Sequence, residues 1–141
     1  MNEVRISTDA DEQDVALIHR FLSQESKWAS GIPIETVRRS IRQSMNFGLF
    51  VGPSQAGYAR VISDQATFAY LLDVFVLPEH RGKGYSRRLV EAVLAHPGLQ
   101  GLRRILLHTS NAHGLYEKFG FAPPAKPETC LEIAVANAYR R

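Results

Sequence analysis

Segments with apolar residues at two-residue spacing alternate along the chain with segments at helical spacing, and their order predicts the fold. Residues 3–7 (EVRIS) read as a short strand. Over 11–23, Val15, Ile18 and Leu22 share one helical face with Leu17 and Phe21 beside it, and Thr8 or Asp9 stands where a cap belongs. A second helix is predicted over 33–45: Pro33 suits a first turn, and Ile34, Val37, Ile41 and Met45 form an apolar stripe. Strands follow at 47–52, 56–63 and 67–77, the first two joined across Pro53-Ser54-Gln55 as a hairpin. The last of these (TFAYLLDVFVL) is apolar on both faces, which predicts a central place, and Pro78 ends it. A helix over 84–96 carries Tyr85, Leu89 and Val93 on one face, with Val90 and Leu94 alongside. A strand at 103–109 (RRILLHT), a short helix at 111–119 closed by Gly120, and a final strand at 129–136 complete the order β-α-α-β-β-β-α-β-α-β.

Composition narrows the class. With 141 residues, no internal repeat and no linker-like tract, residues 1–141 are expected to form one domain with its own core. Apolar residues at 45% and charged residues at 22% are near the globular average, which argues against disorder. There is no apolar run long enough for a membrane helix. The opening MNEVRISTDADEQD lacks the basic start and apolar stretch of a secretory signal, and Cys130, the single cysteine, has no internal disulfide partner. A reducing, cytoplasmic setting is therefore expected. The net charge of +3 is ordinary surface composition, except that Arg and Lys gather around 81–88. No long basic stripe interleaved with aromatics is present, so a nucleic-acid partner is not expected.

The segment Pro78-Glu79-His80-Arg81-Gly82-Lys83-Gly84-Tyr85-Ser86 joins the apolar strand to the helix over 84–96. A helix start leaves backbone N–H groups unpaired and partly positive. Glycines let the chain curve and come close to a ligand. Successive N–H groups in such a turn form an anion-binding concavity, and Arg81, Lys83, Arg87 and Arg88 add charge. A pyrophosphate fits this description. The dinucleotide fingerprint fails, because Arg87 stands at its third glycine, and the P-loop pattern is absent. Taken alone, the segment also reads as a tight turn with a solvated basic helix end.

Arg81-Gly82-Lys83-Gly84-Tyr85-Ser86 resembles the R/Q-x-x-G-x-G/A signature of the GCN5-related N-acetyltransferases (GNAT). Val74-Phe75-Val76-Leu77-Pro78 resembles that family's central strand, and Asn111 to Phe121 (NAHGLYEKFGF) its A-x-x-LY-x-x-x-GF helix. The strong match covers about residues 56–121; the front of the chain matches in element order only. The resemblance implies a three-layer α/β (α+β) fold, with a mixed, mostly antiparallel sheet and helices on both faces. Strands 67–77 and 103–109 would splay apart to admit acetyl-CoA. It further implies that the main chain of Val74, Phe75 and Val76 holds the acetyl and pantetheine portion, that Arg81, Gly82, Lys83, Gly84, Tyr85 and Ser86 hold the pyrophosphate, and that Thr109 and Asn111 belong to the same cofactor site. The chain departs from the pattern at three places. Ser86 replaces Gly or Ala, Thr109 stands where many relatives carry Asn, and Arg104 stands where some place a carboxylate.

Within that resemblance the chemistry can be assigned residue by residue. Tyr116 would sit near the thioester sulfur, and a phenol is a proton donor at neutral pH. N–H groups at Val74 to Val76 would hold the developing negative charge on the carbonyl oxygen. For the base, Asp73 interrupts an apolar strand beside the acetyl site, His108 lies on the neighbouring strand, and a water chain is a third route. Trp28, between the two front helices, is either a wall of the acceptor pocket or a core plug; His113, Glu79 and His80 read as surface. The function expected is acetyl transfer from acetyl-CoA, without a metal, to a primary amine of a small molecule or peptide. The alternative is a non-catalytic CoA-binding or sensor module, which the retained Tyr116 disfavours. Exposed strand edges leave a homodimer open.

Overall fold

Alternation of large apolar residues with turn chemistry at Gly52-Pro53 makes residues 45–63 a hairpin of β2 (Met45–Val51) and β3 (Ser54–Ser63), paired antiparallel from Val51↔Ser54 to Met45↔Val61. The structure, a computed structural model, describes residues 3–139. On one side of the hairpin lies β1 (Val4–Ser7), antiparallel to β2, and on the other β4 (Phe68–Val76), antiparallel to β3. A short β5 (Arg104–Leu106) lies parallel to β4 at the edge, giving the order β1-β2-β3-β4-β5. The sheet is thus mixed and mostly antiparallel, as expected.

Helices cover both faces. On one, α1 (Val15–Arg20), the turn that follows it and α2 (Ile34–Arg42) set Ile18, Phe21, Leu22, Val37 and Ile41 against Tyr58 and Phe75. On the other, α3 (Tyr85–Ala95) sets Leu89, Val90 and Val93 against Phe47, Leu49, Ala59 and Val61, and α4 (His113–Glu117) adds Tyr116. Each fully buried side chain of this size contributes roughly 1.5–3 kcal/mol, so the two apolar layers fix which face each helix takes.

Four expectations are corrected. The helix over 33–45 ends at Arg42, and Met45, expected on its apolar stripe, opens β2 instead. The helix over 11–23 begins only at Val15, because Asp14 caps it by accepting from the Leu17 N–H at 3.1 Å, while residues Ala10–Glu12 form a separate 3-10 turn capped by Asp9. The side chain of Gln13 is turned inward, where its Oε1 accepts from Gln55 Nε2 at 3.0 Å and its Nε2 donates to the Ser7 carbonyl. Beyond Arg20 the helix widens into a π turn, Phe21–Glu25, closed by the Ser26 N–H on the Phe21 carbonyl. The strand at 103–109 is shortened to Arg104–Leu106, since past Leu106 the chain leaves β4 and has no ladder to join. The strand at 129–136 does not form: a 3-10 turn at Pro127–Thr129 is followed by exposed, unpaired chain. Alternation gives a strand its side-chain pattern but cannot supply the neighbour whose backbone it must bond.

Candidate active site

β4 carries a bulge at its middle. Leu72 pairs with Arg60 and Phe75 with Tyr58, so Asp73 and Val74 together face Ala59. Asp73 takes φ +55°, left-handed backbone that costs a non-glycine residue roughly 1–2 kcal/mol and that Asp tolerates better than most. Its carboxylate is tethered at both oxygens: Arg60 Nε donates to Oδ2 at 2.8 Å, and Trp28 Nε1 donates to Oδ1 at 2.8 Å. Arg60 in turn donates to Ser44 Oγ at 3.0 Å. Trp28 is 57% exposed and so is not a core plug.

The ladder between β4 and β5 runs only over Phe68↔Arg104, Ala69↔Ile105 and Tyr70↔Leu106. Beyond it the strands part, and the opening is a cavity of about 590 Å3 lined by Trp28, Tyr70, Asp73, Val74, His108, Thr109, Asn111 and Tyr116, among others. Tyr116 is buried, its ring edge-on to Phe121 with centroids 5.8 Å apart. Burial pushes its phenol above the ordinary 10, so it keeps its proton at neutral pH. Tyr70 Oη lies 2.7 Å from His108 Nδ1, and burial, followed by the charge of Asp73, pushes that phenol up as well. Thr109 Oγ1 accepts from the Ala112 N–H at 3.0 Å and turns the chain into α4. The helix expected over 111–119 spans only His113–Glu117 with Lys118 as its C-cap, and Gly120, at φ +94°, closes the turn after it, its N–H on the Glu117 carbonyl at 3.1 Å.

Past the cavity, Phe75 and Val76 are buried and lead through a 3-10 turn, Pro78–His80, into the glycine loop. Gly82 and Gly84 both take φ +79°, and a Cβ on either would meet nothing within 4 Å. Left-handed backbone, not crowding, is what calls for glycine here. Arg81 is turned back onto the Val76 carbonyl through its Nε at 3.0 Å, which ties the loop to the end of β4. Lys83, Arg87 and Arg88 are exposed, and Tyr85 and Ser86 half-buried. Among the described residues no protein acceptor takes the N–H groups of Gly82 to Arg87; the first such bond is Arg88 N–H to the Gly84 carbonyl at 3.1 Å. An open row of donors and exposed cations on a left-handed loop suits a polyphosphate, and the parted strands suit an extended arm reaching inward.

The structure therefore gathers Trp28, Asp73, Val74, Thr109, Asn111 and Tyr116 in one cavity, while Phe75 and Val76 connect it to the loop of Arg81 to Ser86. Tyr70 and Arg60 escaped the sequence reading. Tyr70 sits in an apolar run that gives it no polar neighbour along the chain. Arg60 meets Asp73 only through the β3–β4 register. His113 is exposed, as expected. Among the described residues no group of three or more His, Cys, Asp or Glu side chains is placed to hold a metal ion, and no helix is long and apolar enough to cross a membrane.

Comparison with known proteins gives a consistent answer. Residues 47–123 match the family model of the acetyltransferase (GNAT) domain. A Gibberella zeae protein designated a candidate acetyltransferase is 33% identical over 135 residues, covering 80% of this chain and 75% of that protein. A crystal structure from Xanthomonas campestris pv. campestris, described as a candidate acetyltransferase of the GNAT family, is 56% identical with a TM-score of 0.96, covering 100% of this chain and 99% of the other. A Clostridium acetobutylicum candidate acetyltransferase crystallised with acetyl-CoA is 16% identical, with a TM-score of 0.69 over 99% of this chain and 100% of the other; it shares the fold.

Proposed function

The chain belongs to the GNAT family of acetyltransferases, and from that premise we propose that it moves an acetyl group from acetyl-CoA directly to a primary amine of a small molecule or peptide. The observation that carries this reading is the parting of β4 and β5 after Tyr70 and Leu106, with a left-handed glycine loop at the far end of the same strand. Acetyl-CoA, as the donor, supplies an activated acetyl thioester. The N–H groups of Gly82 to Ser86, with Lys83 and Arg87 nearby, hold its pyrophosphate. The main chain of Val74, Phe75 and Val76 holds the pantetheine arm, and the bulge at Asp73 and Val74 turns N–H groups toward the carbonyl oxygen. Thr109 and Asn111 line the opposite wall. Fixed donors of this kind contribute about 3 kcal/mol each where charge develops.

Tyr116, kept protonated by burial, hands its proton to the departing thiolate. Asp73, neutralised by Arg60 and accepting from Trp28, fixes the Trp28 wall beside which the amine binds. The proton shed by the amine goes to the Tyr70–His108 pair: the Tyr70 oxygen accepts it as the Tyr70 proton passes to His108 Nδ1. Calorimetric titration with acetyl-CoA, followed by a thiol-release assay across an amine panel, tests the reading. Micromolar binding with amine-dependent thiol release is expected. A folded protein that binds no acetyl-CoA overturns it.

A further inference from the structure

The cavity between β4 and β5 has two sides, and the pleat of β4 decides which residues belong to each. Ala69 and Leu71 sit in the apolar layer under α3, so Tyr70 and Leu72, which alternate with them, face the side of α1 and α2. Tyr116 packs with the α3 layer and belongs to the opposite side. The half left for an acceptor is therefore walled by Trp28, Tyr70 and His108. Trp28 is pinned through its Nε1 to Asp73 at 2.8 Å, and Phe21 lies 6.4 Å from its ring, itself stacked on Phe75 with centroids 4.0 Å apart. The indole is thus fixed at one edge while more than half of it stays exposed. Tyr70 and His108 stand edge to face, with centroids 5.7 Å apart, and are bonded to each other. Three fixed rings make this end of the cavity a flat, apolar surface that suits another ring.

Charge narrows the ligand further. Among the described residues that line the cavity there is no Lys, Arg or Glu. A phosphate or carboxylate on the acceptor would find no cation to pair with. It would meet like charge instead, since burial, and after it the charges of Asp73 and Glu132, push the Tyr70 phenol up. Asp73 is already matched by Arg60 at 2.8 Å, so it offers no uncommitted carboxylate for the second ammonium of a diamine or polyamine. A single ammonium can still lie against the indole face.

We propose that the acceptor is a primary monoamine carried on an aromatic body and without anionic groups, an arylalkylamine by chemical class, and that Trp28 is the residue that selects it. This inference rests on the acetyl-transfer reading above and narrows its acceptor. The amine nitrogen attacks the acetyl carbonyl carbon, and the C–N bond forms as the C–S bond breaks. One amine proton leaves through Tyr70 and His108, and the departing thiolate takes the Tyr116 proton, giving the N-acetyl amide and CoA. Solvent returns Tyr116 and the Tyr70–His108 pair to their starting protonation.

Thiol release from acetyl-CoA, measured with matched amines, tests this. Phenethylamine is expected to exceed butylamine in kcat/KM by at least about 10-fold, because butylamine lacks the ring. It is expected to exceed free phenylalanine, which differs by one carboxylate, by at least about 100-fold. Trp28→Ala is expected to bring the first ratio toward one by raising KM for phenethylamine, and Trp28→Phe to keep most of it, with both variants folded by circular dichroism. A panel in which butylamine, spermidine or a tetrapeptide with an unblocked N-terminus does as well as phenethylamine overturns the inference and leaves acetyl transfer standing. So does an aromatic preference indifferent to Trp28→Ala. Acetyl-CoA binding with no thiol release from any amine overturns the transfer reading, and this inference with it.

Discussion

Among single side chains, Tyr116 and Asp73 show how position makes chemistry. A phenol is a modest acid, but burial holds the Tyr116 proton firmly. Tyr116→Phe is expected to lower turnover by about 10-fold to 10⁴-fold with little change in acetyl-CoA affinity, read from steady-state kinetics beside calorimetry. The sign of the pH effect follows from burial. The phenols of Tyr58 and Tyr116 are raised above their ordinary 10, so the folded state holds these protons more tightly than the unfolded chain. Their contribution to stability is complete below about pH 10 and is lost as pH rises beyond it. Thermal melts are expected to show no loss from these groups up to that pH and a fall above it. Asp73 and Arg60 are 8% and 13% exposed, so Arg60→Met leaves a nearly buried carboxylate with only Trp28 as donor. A loss of about 3 kcal/mol in urea denaturation is expected, partly recovered by adding Asp73→Asn. Asp73 was visible in the sequence as a charge in an apolar strand. Its partners, 13 and 45 residues away, were not.

Individual elements were legible to the extent that their signals are local. The glycine loop and α3 fall where expected, because left-handed backbone and helix starts are decided within a few residues. The same local rule sets the loop experiment. Gly84→Ala adds a Cβ that meets nothing, so its cost of about 1–2 kcal/mol comes from forcing a side-chain-bearing residue to φ +79°. Gly84→Glu adds bulk and negative charge where the pyrophosphate is proposed to bind. Acetyl-CoA binding is expected to persist, weakened, in Gly84→Ala and to disappear from calorimetry in Gly84→Glu, with both variants folded by circular dichroism. Equal binding by Gly84→Glu and wild type would remove the loop from the donor site. The front helix was less legible. Its apolar face is genuine, but Gln13 turns inward to meet Gln55 in the hairpin, a demand that no helical period announces.

In the whole molecule, what matters is where two strands stop pairing. Apolar periodicity, turn residues and capping were enough to specify the order of elements from β1 to α4 and the loop at the end of β4, since each is a matter of neighbours along the chain. The motifs at Arg81 to Ser86 and Asn111 to Phe121 carry the GNAT resemblance that the comparisons bear out. The rest depends on contacts between residues far apart in sequence. The β4 bulge at Asp73 exists only in the register against β3, and the cavity only because the β4–β5 ladder ends at Tyr70 and Leu106. The meeting of Tyr70 with His108, and of Trp28 with Asp73, follows from that parting. The tail 129–136 marks the boundary between the two kinds of information. Its alternation is plain in the amino acids, but a strand is completed by the backbone beside it, and among the described residues no strand pairs with it.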